Sequence, residues 1–157
     1  SRIAECLSLN QKDVHAFVLG EHGDSETAVF SATRIAGMTL EAYCAACQSC
    51  RGSLGEQARG TIADEVKNAA YAIIEKKGST AYGIAAAVAR IAGAIARDEH
   101  AVSAIDPAQR VAMSVPCVVG QGGVVRRIPM RMDKSERAQM DASTAQIRRM
   151  IQEQDLL

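Results

Sequence analysis

Residues 14–25 read VHAFVLGEHGDS, and the break at Gly20 sets the reading of everything around it. Val14 to Leu19 is a short apolar run of β-forming residues that stops at a glycine, which predicts a strand. Glu21-His22-Gly23-Asp24-Ser25 predicts a polar turn, and Ala28 to Ile35 a second strand. Further on, Leu40 to Cys47 reads as a short helix and Ser49 to Gly55 as a loop. Ile62, Val66, Ala69 and Ile73 fall at i, i+4, i+7 and i+11, which predicts a helix with one apolar stripe. Glu75-Lys76-Lys77 ends that helix, and Gly78 suits the left-handed position after it. Ile84, Val88, Ile91 and Ile95 repeat the spacing on a second helix, which Ala residues and Gly93 let sit close to a neighbour. The short Lys77-to-Tyr82 connection predicts a corner or a kink between the two.

Val111 to Val119 and Val124 to Met132 read as strands joined by the hairpin Gly120-Gln121-Gly122-Gly123. In the second, Arg127 and Arg131 alternate with Ile128, Met130 and Met132, one wet face and one buried. Asp133 and Glu136 have the spacing of a capping box that opens a last helix, striped by Met140, Thr144, Ile147 and Ile151. The stretch His100 to Arg110 reads as a surface loop. The pattern is α+β in a single domain over residues 1–157.

The 157 residues carry 18 basic and 18 acidic side chains, a formal net charge of zero. That balance argues against nucleic acid or an anionic membrane as the main partner, since both call for a basic surplus. With 48% apolar residues the chain can build a core, but with 3% aromatics and no Trp, Ala, Ile and Val must fill it. No apolar run reaches the length of a membrane span. Cysteines stand at 6, 44, 47, 50 and 117, and the start has no secretory pattern, so a reduced, cytoplasmic setting is expected. The chain opens without Met inside what reads as a helix, which suggests a piece of something longer.

His22 is the first candidate for chemistry. It follows a strand, between Gly20 and Gly23, with Glu21 and Asp24 beside it, and its ordinary pKa suits proton exchange near neutrality. The plain alternative is a loop histidine hydrogen-bonded to its turn. Cys44, Cys47 and Cys50 form C-x2-C-x2-C, but a fourth ligand is lacking nearby. On a helix the three would spread over too wide an arc to converge, so free thiols are the expectation and no metal site is assigned. Gly120 to Gly123 lacks the Lys-Ser/Thr of a phosphate loop and reads as a turn. Arg126, Arg127, Arg131 and Lys134 read as a solvated face.

Residues 14–25, with Asn68-Ala69-Ala70-Tyr71-Ala72-Ile73-Ile74-Glu75-Lys76-Lys77-Gly78-Ser79-Thr80-Ala81-Tyr82-Gly83-Ile84-Ala85 downstream, resemble the L-lactate and malate dehydrogenase family. Ser114-Val115-Pro116, the glycine hairpin and a closing helix with Ser143 fit the same resemblance. It covers nearly the whole chain but only the family's C-terminal half. That implies an antiparallel sheet with long packed helices, and a Rossmann half that is absent here, since no G-x-G-x-x-G occurs. The region His100 to Arg110 looks several residues shorter than the family's.

The resemblance further implies an NAD-dependent L-lactate dehydrogenase in which His22 exchanges the proton of a 2-keto or 2-hydroxy acid. Thr80 would line the substrate pocket, and Ile84 would present an apolar side chain to the nicotinamide. Plain packing remains the alternative for Ile84, and helix capping for Thr80. His15 matches a position that binds fructose 1,6-bisphosphate in activated bacterial members, or is an ordinary strand histidine. The family's catalytic Asp and substrate Arg would precede Ser1, so the chain alone is expected to be inactive and to need its Rossmann domain. A homo-oligomer, tetramer or dimer, is implied. Glu21 favours lactate over malate. A malate dehydrogenase and a non-catalytic, cysteine-rich metal-binding module are the alternatives.

Overall fold

Two three-stranded antiparallel sheets, β1-β2-β3 and β4-β5-β6, form the frame of the computed structural model, which describes residues 1–47, 54–106 and 111–154. The first sheet comprises β1 (Val14–Leu19), β2 (Thr27–Ile35) and β3 (Met38–Thr39), preceded by α1 (Arg2–Cys6) and followed by α2 (Leu40–Ala46). Two long helices come next, α3 (Glu56–Lys77) and α4 (Ala81–Ala96). The second sheet is β4 (Ala101–Asp106), β5 (Met113–Gly120) and β6 (Gly123–Arg127), and α5 (Lys134–Glu153) closes the chain. β1 and β2 pair as a hairpin whose register sets Leu19 opposite Thr27, with a bulge between His15 and Phe17. No described helix is long and apolar enough to cross a membrane.

Apolar side chains gather in two clusters. Ile3, Leu7, Val14, Ile35, Leu40 and Ile62 are buried where α1, α2 and the start of α3 meet one end of the first sheet. Leu19, Val29, Met113, Met140 and Ile147 are buried where α5 packs over the other end and β5. β1 therefore feeds both clusters, Val14 the first and Leu19 the second. α5 begins with the expected capping box: Asp133 accepts from Glu136 N at 2.8 Å, and Glu136 from Asp133 N at 3.0 Å. The same Glu136 carboxylate accepts from the backbone N–H of Ser31 at 2.9 Å and from its hydroxyl. A buried carboxylate is tolerable only when so well supplied with donors, and this one pins α5 to β2.

Two expectations are corrected. The supposed loop after His100 holds strand β4, which pairs along β5 from Ala101 opposite Val119 to Asp106 opposite Met113. Its small residues gave little strand signal, and residues 107–110 lie outside the described ones. The strand expected to reach Met132 ends at Arg127. Ile128 still donates to Pro116 O at 2.8 Å, but Pro129 has no N–H to extend the ladder. Ile128, Met130 and Met132 nevertheless stay half-buried and Arg131 exposed. The helical stripes are only partly buried: Ile62 is inside, while Ile73 is 45% and Val88 61% exposed. A 22-residue helix is roughly 33 Å long, and α3 outruns the sheets that could cover it. Gly78 adopts the expected left-handed cap, φ 77°, donating to Ile74 O at 2.7 Å.

The expectation of free thiols holds for half-buried Cys44 and fails for Cys47, which is disulfide-bonded. α2 stops at Ala46 and Cys47 has extended backbone, so the helical spacing assumed for the triplet ends there. Cys50 lies outside the described residues.

Gly20 is buried at φ +95°, and a Cβ there would lie 2.9 Å from Ser143 Oγ. Gly20→Ala therefore combines backbone strain with a clash. It is expected to lower unfolding free energy by about 2 kcal/mol in urea titrations. A loss below about 0.5 kcal/mol would show that strand and helix part at little cost.

Candidate active site

The end of β1 is where the two sheets touch. Gly20 N donates to Ser114 O at 3.0 Å and Ser114 N to Gly20 O at 2.7 Å, an isolated antiparallel bridge. Because Gly20 is in the left-handed region, the chain turns there out of the strand. Glu21 N then donates to Ser143 Oγ on α5 at 2.9 Å, and Ser25 Oγ approaches the same hydroxyl at 3.1 Å. Ser25 also donates to the Glu21 carboxylate, closing the turn on itself. Glu26 N donates to Gly23 O at 3.2 Å, and Tyr71 Oη on α3 donates to Asp24 Oδ1 at 3.1 Å.

His22 stands at the crest of this turn with its side chain exposed. The turn is held by Glu21, Ser25, Glu26 and Asp24, so its shape does not depend on the imidazole. Burial raises the Glu26 carboxyl above its ordinary value, opposed by His22 and by Lys67 of α3. The hydrogen bond to Asp24 raises the Tyr71 phenol above its ordinary value, since a neutral hydroxyl suits a carboxylate neighbour.

Thr80 and Ile84 come from the other end of α3, past the Gly78 cap. Thr80 is the N-cap of α4 but makes no side-chain capping bond, so capping does not explain it. Ile84 is 59% exposed, which excludes plain core packing. Beside Thr80 a shallow cleft is lined by Ala72, Ile73, Lys76, Tyr82 and Gly83. His22 is not among its residues: the two predicted groups stand on separate elements facing solvent. His15 is exposed near the start of β1, opposite Arg34, whose guanidinium turns back onto the carbonyls of Ser31 and Thr33. Among the described residues no group of three His, Cys, Asp or Glu could hold a metal.

Sequence reasoning assigned no role to Ser143 or Tyr71. Ser143 lies three residues after Met140 and four before Ile147, on the buried stripe itself, and is fully buried. A lone hydroxyl on an apolar stripe needs a partner, and that was the available signal. Tyr71 carried no such mark, because its partner is 47 residues away.

Relatives and solved structures agree on where this arrangement belongs. The chain is similar to L-lactate dehydrogenase 1 of Clostridium acetobutylicum, 41% identical over 143 residues, covering 86% of this chain and 44% of the relative. It is similar to the L-lactate dehydrogenase of Thermoanaerobacter sp., 38% identical over 162 residues, covering 98% of this chain and 51% of the relative. The crystal structure of minor L-lactate dehydrogenase from Enterococcus mundtii superimposes with a TM-score of 0.84 at 34% identity, covering 96% of this chain and 49% of that one. The chain thus spans about half the length of the curated relatives it matches. Residues 1–155 match the family described as lactate/malate dehydrogenase, alpha/beta C-terminal domain, and the chain belongs to that family.

Proposed function

We propose that this chain is the substrate-binding and catalytic half of an NAD-dependent L-lactate dehydrogenase, with His22 as proton donor and acceptor. The observation that carries the reading is the exposed imidazole on a turn whose bonds all come from its neighbours. A general acid must keep its proton-bearing atom in place while its own hydrogen-bonding capacity stays open to substrate. The relatives' names favour lactate over malate.

The cofactor, when bound, supplies hydride to the carbonyl carbon of a 2-oxo acid. His22 in its protonated form gives a proton to the carbonyl oxygen, producing the hydroxyl, and takes it back in the reverse direction. The residues present fit one end of the cofactor. Ile84 and Val88 offer exposed apolar surface suited to a neutral ring, whereas no glycine-rich turn for a pyrophosphate occurs in the sequence. Thr80, with its hydroxyl unused in capping, faces the substrate side of that surface in this reading. A dinucleotide-binding half must therefore come from elsewhere in the enzyme, and the exposed apolar stretch from Tyr71 to Val88 is the surface we assign to it.

The test is a fusion of the amino-terminal half of the Clostridium acetobutylicum relative to residues 1–157, with the isolated chain as an inactive control. The fusion is expected to oxidise NADH in the presence of pyruvate. His22→Asn should lower kcat by about 10²–10⁴-fold while cofactor binding survives, and a variant turning over like its parent would remove His22 from the chemistry. Thr80→Val should raise KM for pyruvate and lower kcat with thermal stability nearly unchanged. Unfolding with KM untouched would assign Thr80 to the fold instead.

A further inference from the structure

His22 is bracketed by anchors to two different helices. Before it, Glu21 N is fixed to Ser143 of α5. After it, Asp24 accepts the hydroxyl of Tyr71 on α3 at 3.1 Å. Lys67, half-buried, lies four residues before Tyr71 and so on the same face of α3. With Glu26 it lines the cleft between the turn, α3 and the start of α5. Of the two acidic side chains that follow His22, Asp24 thus bonds the phenol, while Glu26 shares a cleft with the ammonium one helical turn earlier. That helix continues to the Gly78 corner and Thr80, nine residues beyond Tyr71 and roughly 13 Å along the axis.

We propose that Tyr71 is a positioning residue for His22, gripping Asp24 so that the histidine is held in register with the Thr80 corner of the same helix. The proposal rests on the dehydrogenase reading of His22. A proton donor displaced by even an ångström loses much of its effect, and a turn anchored on one side only would let His22 swing. The α5 anchor alone sets where the turn begins; the α3 grip sets where it points. The charged groups around His22 are Glu21 (engaged by Ser25), Asp24 and Glu26 on its own segment. The cleft that Glu26 lines adds Glu56, Arg59, Asp64 and Lys67 from α3, and Asp133 and Glu136 from the start of α5. Of these, Glu136 is occupied by Ser31 and the capping box.

The fusion protein is compared with its Tyr71→Phe variant, measuring kcat, KM, thermal midpoint and the mobility of the His22 ring by NMR relaxation. Tyr71→Phe is expected to lower kcat about three- to tenfold, with KM for NADH unchanged and the midpoint within about two degrees. The His22 ring is expected to become more mobile in Tyr71→Phe, because the turn is then anchored on α5 alone. Tyr71→Phe with unchanged kcat, or with a loss matched by a fall in the midpoint, overturns the proposal. So does a His22 ring whose mobility the substitution leaves unchanged. A fusion that never reduces pyruvate would refute the dehydrogenase reading alone, and the change in ring mobility would still show whether α3 grips the turn.

Discussion

The reciprocal pair of main-chain hydrogen bonds between Gly20 and Ser114 joins two sheets that share no other ladder among the described residues. It fixes the last residue before the turn against β5, and the left-handed backbone at Gly20 then sends the chain outward. Only a residue without Cβ permits both at once, since Ser143 occupies the space a side chain would need. Ser143 in turn holds Glu21 through its backbone N–H. Strand, neighbouring sheet and closing helix are thus fixed to one another within two residues of His22. A histidine on an ordinary hairpin would have no such foundation.

Much of this was legible in the sequence, and the reasons differ by element. β1, the first long helix and its Gly78 stop, the glycine hairpin and the Asp133–Glu136 box all have local causes, so local patterns revealed them. β4 did not show because Ala101-Val102-Ser103 has little strand preference of its own. Its partner β5 supplies the pairing, and pairing is not written in the strand that receives it. The apolar stripes of α3 and α4 were read as stripes, and they turn out largely exposed. Periodicity says which side of a helix is apolar, never what covers it.

For the site, His22 stood out from its own surroundings, Thr80 and Ile84 were proposed through a resemblance, and the bland alternatives were left standing beside them. Geometry removes two of those alternatives, because Thr80 caps nothing and Ile84 is not core. What no local pattern offered was the set of contacts between distant segments. Tyr71 with Asp24, Ser143 with Glu21 and Glu136 with Ser31 join residues 47, 122 and 105 positions apart. These bonds determine where the chemistry-bearing side chain stands, although none of the six partners performs chemistry in the proposed reaction.

The carboxylate of Glu136 has a mechanical consequence. It fastens the first turn of α5 to β2 through both donors of Ser31, while Ser143 carries the load of the His22 turn seven residues further on. The helix is therefore an arm roughly 10 Å long between pivot and load. A tilt of about 5° at the pivot would move Ser143 by roughly 0.9 Å at that arm length, enough to spoil a hydrogen bond. The tolerance of the exposed imidazole is thus set on the far side of the domain, by how stiffly a single acidic side chain is clasped at the start of α5.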